Sequence, residues 1–346
     1  TLDIDDLDEL EGFLYAETGE IFFYGNTSDN QAGIYPYDFF IGKMNQDGSL
    51  DASFGDNGIF RSDFPGAEVS SIKGASISSD AIYFIGRGIN YSANDSINFF
   101  IGKADFSGNI DLSFGENGYF IHNFLGTYNT PGNIIIDSED RIVFCGSTTD
   151  DQSTYVEFPI LGRLNNLGEP DSTFGTTGFV IWDYYNGDTI NYMPVIDYSE
   201  RHGEGSYFTE LIEIGNNYFA CGQFVNTSFS QINMMSFNKD GGLNQDFVTQ
   251  GPIIFQLDPG NNHWIGDIDF DGEFIYLGLQ TDGPLYKDKL LIQKVDTTGV
   301  QIETISFEHP NHTNKTNYVD YFDNKLYVGG YAKLASNTQN GYDSDN

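Results

Sequence analysis

The most regular feature of the chain is a short apolar run that closes on glycine and recurs six times. The runs are IFFYG, IYFIG, IVFCG, YFACG, FIYLG and LYVGG, ending at Gly25, Gly86, Gly146, Gly222, Gly278 and Gly329. Between them lie short apolar or alternating segments bounded by Gly, Asn and Asp, without the 3.6-residue period of a helix. The pattern therefore predicts a protein built from β-strands.

A longer motif repeats in step with these runs, at a spacing of 60 residues between its strongest copies. Those copies are FFIGKMNQDGSLDASFGDNGIF at 39–60, FFIGKADFSGNIDLSFGENGYF at 99–120 and FPILGRLNNLGEPDSTFGTTGFV at 158–180. A weaker copy lies at 232–255 and a decayed one at 289–307. Each period accommodates four strands, expected in the second period near 70–79, 81–86, 98–105 and 118–124.

Repeated units of this length predict a particular architecture. One small four-stranded sheet cannot bury both of its faces, so successive sheets stack around an axis, as in a β-propeller. We therefore expect an all-β fold, a single β-propeller over 1–346 with four-stranded antiparallel blades. The repeats run approximately over 10–60, 70–124, 133–184, 207–258, 264–308 and 316–346, the last being partial. Because the sixth blade lacks its later strands, we expect the native chain to continue past Asn346, with room for a seventh blade.

The core of the repeat carries a family resemblance. GSLDASFGDNG, GNIDLSFGENG and GEPDSTFGTTG share the pattern G-x-x-D-x-x-F-G-x-x-G, which resembles the delta-60 repeat of bacterial secreted and surface propellers. The resemblance implies a β-propeller and export, as in Bacteroidota substrates of the type nine secretion system. It therefore implies an extracellular or cell-surface location, with any signal peptide already removed. It implies no particular reaction.

Four residue types recur in phase within the strong copies. They are Gly48, Gly108 and Gly168; Asp51, Asp111 and Asp171; Phe54, Phe114 and Phe174; and Lys43, Lys103 and Arg163. Because a binding site is usually built once, repetition favours a structural role over a repeated metal or ligand site. We expect the glycines to adopt positive φ, the aspartates to bond turn amides or the basic residue of their own blade, and the phenylalanines to pack between blades.

Propeller topology predicts where function lies. The regular turns occupy one face, so the variable loops collect on the other, at 26–38, 87–97, 147–157, 223–231 and 279–288. An insertion at 181–208 adds to that face. Its candidate binding residues are Trp182, Tyr184, Tyr185, Tyr192, Arg201 and His202. Exposed aromatic side chains suit stacking on sugars or anchoring a protein partner. The alternative is a loop that buries its own aromatic residues.

The net charge of the chain excludes several classes of binding partner. The chain of 346 residues has 51 Asp and Glu against 15 Lys and Arg, a net charge of −36. Nucleic-acid binding and direct binding to anionic membranes both need a basic surface, so neither is expected. Divalent cations are the charged partners that such a surface favours.

One segment has the spacing of calcium ligands. DIDFDGE places Asp267, Asp269 and Asp271 at alternating positions, where three carboxylates on one strand face repel unless solvent or a cation screens them. This predicts a metal site with calcium as its cofactor. The alternative is an ordinary Asp-Gly turn between two strands of a blade.

Candidate chemistry is otherwise sparse. The sequence has no GxSxG, HExxH or GxxxxGK[ST] motif, so no catalytic residue is predicted. Cys145 and Cys221 occupy equivalent positions in successive blades, too far apart for a disulfide, and are expected to be free buried thiols. We expect a binding module for a polysaccharide or protein partner. The alternatives are a carbohydrate hydrolase or lyase acting in the central funnel, and a scaffold in an extracellular assembly.

Overall fold

A computed structural model shows the all-β fold directly. It describes residues 4, 7–28, 37–90, 96–126, 128–149, 156–183, 188–189, 205–225, 230–247, 252–255, 257, 261–281, 289–308 and 312–334. Every regular element in these ranges is a β-strand. No helix in this part of the chain is long and apolar enough to cross a membrane.

The strands form successive antiparallel blades. The first contains β1 Leu7–Tyr15, β2 Ile21–Ser28, β3 Tyr37–Met44 and β4 Ile59–Ser62. The second contains β5 Val69–Ile77, β6 Ala81–Asn90, β7 Ser96–Asp105 and β8 Tyr119–His122. The third contains β9 Asn129–Ile136, β10 Ile142–Thr149, β11 Glu157–Leu164 and β12 Phe179–Asp183, with β13 Asp188–Thr189 paired to β12.

The remaining blades continue the order. The fourth contains β14 Gly205–Ile214, β15 Asn217–Val225, β16 Ser230–Asn238 and β17 Ile253–Phe255, and one parallel pairing, Glu157 with Gly205, joins its inner strand to β11 so that the third and fourth blades form a continuous sheet. The fifth contains β18 His263–Phe270, β19 Phe274–Thr281, β20 Lys289–Asp296 and β21 Gln301–Glu308. The sixth shows two strands in the described residues, β22 His312–Phe322 and β23 Lys325–Leu334. The predicted all-β propeller of four-stranded antiparallel blades is confirmed.

Close approach of the neighbouring backbone explains why a glycine ends each apolar run. A Cβ on Gly25 would lie 2.0 Å from the Glu9 carbonyl oxygen, and one on Gly86 would lie 2.3 Å from that of Ser71. The first strand of each blade, its inner strand, bulges next to these close approaches. On the inner strands the register shifts occur at Leu10/Gly12, Ile72/Gly74, Pro131/Ile134, Phe208/Glu210, Ile265/Asp267 and Thr316/Tyr318. Five of these bulges insert one inner-strand residue, whereas in the third blade Gly132 and Asn133 lie opposite the single residue Cys145.

The in-phase phenylalanines pack between blades, as predicted. Phe54 belongs to an apolar cluster shared by the first two blades, and Phe114 to one shared by the second and third. Phe174 does the same between the third and fourth blades. All three side chains are at most 1% exposed. The propeller core is therefore a series of layers between neighbouring sheets.

The predicted role of the in-phase aspartates is also confirmed, and they do both tasks at once. Asp111 Oδ1 accepts the Ser113 backbone N–H at 3.0 Å, while its Oδ2 lies 2.8 Å from Lys103 Nζ. In the fourth blade both members of the ion pair are replaced: Asn244 stands at the position of the aspartate and Ser236 at that of the basic residue. The Asn244 amide donates to the Ser236 hydroxyl at 3.1 Å. The in-phase glycines Gly48, Gly108 and Gly168 have φ between +79° and +84°, as expected.

The two cysteines match their prediction. Cys145 and Cys221 are both free and buried. Burial raises the pKa of each thiol, which keeps it protonated and chemically quiet. Both therefore serve as small core side chains.

Candidate functional site

A cavity of about 480 Å³ lies among the first four blades. Its walls come from inner strands and from the second strands beside them. The lining residues are Glu9, Glu11, Asn26, Val69, Ser71, Ile72, Lys73, Arg87, Ile89, Thr130, Pro131, Ser147, Tyr207, Phe208 and Thr209. They occupy the beginnings of inner strands and the ends of second strands. The cavity therefore lies toward the face where second strands end, which is the face where the sequence predicted function.

The bulges place polar side chains in this cavity. Glu11 and Lys73 are the extra residues of the bulges in β1 and β5, and Lys73 Nζ lies 3.1 Å from Glu11 Oε2. Asn26 donates to the other Glu11 oxygen at 3.1 Å. Thr209 is the extra residue of the β14 bulge, and its buried hydroxyl has no hydrogen-bond partner in the described part of the chain. A bound molecule or water would satisfy such a group.

Arg87 is the most unusual residue of the lining. It follows Gly86 on β6 and is exposed to the cavity. Within the described ranges its side chain forms no hydrogen bond or ion pair. Its guanidinium therefore has all five N–H donors available to a ligand.

Two carboxyl groups, Glu210 and Asp267, directly follow bulges in neighbouring blades. Burial, reinforced by the neighbouring Asp267 carboxylate, raises the pKa of Glu210 to about 8. Asn133 Nδ2 donates to Glu210 Oε2 at 2.9 Å. Burial raises the pKa of Asp267 to about 7, although two backbone N–H groups stabilise its charged form. The pair is not part of the cavity lining, where Thr209 is the last residue contributed by β14.

The predicted calcium ligands have other tasks. Asp267 accepts the backbone N–H groups of Ile268 at 2.8 Å and Val319 at 2.9 Å. Asp269 accepts that of Tyr321, so both carboxylates tie β18 to β22 of the sixth blade. Asp271 accepts two N–H groups of its own turn and the Tyr276 hydroxyl. No three acidic, His or Cys side chains of the described residues are arranged to hold a metal ion. The geometry thus corrects the calcium interpretation of Asp267, Asp269 and Asp271 in favour of strand pairing and a turn.

The structure differs from the predicted aromatic site at 181–208 in the position of Trp182. Trp182 is only 3% exposed and packs in the core between the third and fourth blades, so its expected role as an exposed stacking ring is wrong. The alternative of a buried aromatic residue holds at this position. The other candidates, Tyr184, Tyr185, Tyr192, Arg201 and His202, lie outside the described residues.

The sequence did not single out Arg87, Lys73 or Tyr207. Their signal was present in the repeat, because each departs from the residue found at the equivalent position of other blades. Lys73 stands where the first blade has Glu11 and the fourth has Thr209. Such departures become visible once the bulges fix the register of the inner strands.

Comparisons with known proteins were made for the family, the sequence and the fold. No protein family model matches the chain, and no protein of curated function matches its sequence. Similar folds include a Trypanosoma rangeli sialidase mutant with trans-sialidase activity, at a TM-score of 0.46 and 10% identity, covering 95% of this chain and 52% of the sialidase. This chain thus spans about half the length of that protein.

Two further structures complete the comparison. A putative glucose dehydrogenase from Thermus thermophilus aligns at a TM-score of 0.45 and 9% identity, covering 95% of this chain and 92% of that one. A β-xylosidase and α-arabinofuranosidase from a compost metagenome aligns at 0.39 and 11% identity, covering 94% of each chain. These likenesses concern the fold alone.

Proposed function

We propose that this β-propeller is a carbohydrate-binding module that holds a saccharide in the cavity among its first four blades. The observation that carries the proposal is the composition of this cavity. Its volume of about 480 Å³ lies within the range of small-molecule sites. Tyr207 supplies an aromatic ring for the apolar face of a sugar, and Ser71 and Thr209 supply hydroxyl groups for its polar substituents.

A binding role fits the carboxylates better than a catalytic one. Glycoside hydrolysis needs two carboxyl groups facing the same bond across the substrate. Glu11 is already bonded to Lys73 and Asn26, and the Glu210 and Asp267 pair lies outside the cavity lining. The hydrolase is therefore the weaker candidate, because the raised pKa of Glu210 comes from burial away from the cavity lining.

Cavity binding is tested by glycan-array screening of the wild-type protein and a Tyr207→Ala variant. The matched control is Tyr327→Ala, the same change on β23 at a ring that is 46% exposed. We expect the wild type and the control to retain the same glycans and Tyr207→Ala to lose them at least tenfold. Equal retention by Tyr207→Ala would overturn the site, and no retention by the wild type would favour the scaffold.

The hydrolase alternative has its own test. The retained glycan is incubated with the wild-type protein and its chain length is followed by mass spectrometry. Unchanged glycan is expected for a binding module. Shortening of the glycan by the wild type would replace the binding proposal with the hydrolase.

Export is part of the same proposal, and the three in-phase copies that resemble delta-60 repeats support it. A saccharide-binding propeller with a net charge of −36 suits a salty medium, in which the Debye length is about 8 Å and self-repulsion is screened. Protease treatment of intact source cells should remove the protein while sparing a cytoplasmic marker. Protection equal to that of the marker would contradict a surface location.

A further inference from the structure

We infer that the cavity selects a sugar bearing a carboxylate, a uronic acid, and that Arg87 together with Lys73 binds this group. The inference rests on the proposed function and specifies its ligand. Arg87 and Lys73 are the two cations of the cavity lining, which also holds the carboxylates of Glu9 and Glu11, the latter paired with Lys73. They come from β6 and β5, which are adjacent antiparallel strands of the second blade.

The position equivalent to Arg87 has a structural role in two other blades. The residue after the closing glycine is Asn26 in the first blade and Gln223 in the fourth. Asn26 Oδ1 accepts the Ile72 backbone N–H at 2.8 Å, and Gln223 Nε2 donates to the His263 carbonyl oxygen at 2.6 Å. Both bonds join a second strand to the inner strand of the next blade. In these two blades the position therefore serves to connect neighbouring sheets.

Arg87 does not perform that task. Its side chain is exposed to the cavity and makes no bond to β9, the inner strand of the third blade, or to any other described residue. The second blade thus lacks the structural hydrogen bond that the first and fourth blades have. At that position it has a guanidinium group that is exposed to the cavity. The third blade has Ser147 at this position, bonded to Glu157 of its own blade, and the fifth has Leu279. Arg87 is therefore the one charged residue that the described blades place there, and ligand binding accounts for that charge.

The charge composition of the chain also makes Arg87 unusual. Cations are scarce in this chain, with 15 Lys and Arg against 51 Asp and Glu, and several of the described ones are held by carboxylates. Lys103 pairs with Asp111 at 2.8 Å and Arg163 with Asp171 at 2.9 Å. With so many carboxylates nearby, an unpaired arginine is the exception. A guanidinium fork matches a carboxylate in bidentate geometry and binds it more strongly than a neutral hydroxyl.

Lys73 completes the site. Its side chain is 54% exposed and contacts Glu11 with one ammonium hydrogen, which leaves further donors for a ligand. The apolar lining from Val69, Ile89 and Pro131 provides contact area for a ring, which a bare inorganic anion does not use. The combination therefore favours a carboxylate attached to a sugar ring.

The test compares trigalacturonate with its fully methyl-esterified form, in which a methyl ester replaces each carboxylate charge, by isothermal titration calorimetry. We expect the wild type to bind the acid at least tenfold more tightly than the ester. Arg87→Gln should weaken acid binding at least tenfold, and Arg87→Lys should weaken it less. Lys325→Gln, the same loss of charge at an exposed position of β23, should leave binding unchanged. Melting temperatures verify that each variant folds.

Each other outcome has a defined meaning. Glycan retention on the array with equal affinity for acid and ester would overturn the uronate inference and leave the proposed function in place. Absence of binding to every glycan would remove the proposed function and the inference with it. Inorganic phosphate that displaces the acid at equal concentration would show a general anion site and would also overturn the inference.

Discussion

The backbone N–H of Gly115 in the second blade donates a 2.7 Å hydrogen bond to the carbonyl oxygen of Leu167 in the third. The same bond joins Gly55 to Ser107 at 2.8 Å and Gly175 to Asp240 at 2.7 Å. The repeated Phe-Gly pair therefore has two parts, a phenylalanine buried between blades and a glycine that bonds the next blade. This explains why the motif recurs at a fixed spacing.

The glycine of this pair should tolerate no side chain. Gly115 has φ +53°, and a Cβ there would lie 2.2 Å from the Tyr119 carbonyl oxygen. We expect Gly115→Ala to lower the free energy of unfolding by about 3 kcal/mol, since the clash adds to backbone strain. Gly48→Ala is the control, because Gly48 has φ +84° with open space around it, and it should cost about 1 kcal/mol. Equal losses in urea denaturation would contradict the clash.

These relationships show what the sequence could predict. The repeat revealed blades, strands and the roles of Asp111 and Phe114, because each copy meets the same backbone requirements. The sequence did not indicate Arg87, because this residue is recognised as unusual only when it is compared with Asn26 at the equivalent position of the first blade. The sequence also did not predict that Glu210 lies near Asp267, because that proximity depends on how the inner strands β14 and β18 pack.

The in-phase ion pairs should differ in strength with their burial. The Arg163 side chain is 2% exposed and bonds Asp171, Thr173 and the Lys239 carbonyl oxygen, whereas the Lys103 side chain is 17% exposed. Asp171→Asn leaves a guanidinium buried without its counter-ion, so we expect a loss of about 3 kcal/mol in unfolding free energy. Asp111→Asn in the second blade should cost about 1 kcal/mol, because Lys103 can turn toward water. The reverse order would contradict this account.

One turn residue is poorly suited to its conformation. Thr177 has φ +57° at the position where the other strong copies have Asn57 and Asn117, both at φ +54°. Asn tolerates the left-handed region better than a β-branched residue. We expect Thr177→Asn to raise the unfolding free energy by about 0.5–1 kcal/mol and Asn117→Thr to lower it similarly. A stability gain from both changes would argue against backbone strain as the cause.

Calcium should act on this protein through ionic strength alone. The net charge of −36 predicts a melting temperature that rises with salt, as repulsion between carboxylates is screened. Because Asp267 and Asp269 accept backbone N–H groups, we expect CaCl₂ and NaCl at equal ionic strength to raise the melting temperature equally. A larger rise with calcium, abolished by Asp269→Asn, would restore the metal site.

The Glu210 and Asp267 pair should make the fold less stable as the solution becomes more alkaline. The pKa values of both groups are raised, from 4.5 to about 8 for Glu210 and from 3.8 to about 7 for Asp267. The folded state therefore binds these protons more tightly than the unfolded state does. Their stabilising contribution is complete below about pH 4 and is lost as the pH rises through 7 and 8.

Replacing one member of the pair isolates this effect. Glu210→Gln keeps an oxygen for the Asn133 amide but cannot ionise, so it should exceed the wild type in unfolding free energy by about 4 kcal/mol at pH 8.5. At pH 4 the two proteins should be nearly equal, because Glu210 is then largely protonated in both the folded and the unfolded state. Glu303→Gln, the same change at an exposed position of β21, controls for the general loss of negative charge. Urea denaturation at both pH values measures the difference, and a Glu210→Gln profile parallel to that of the wild type would show that the two carboxyl groups titrate independently of folding.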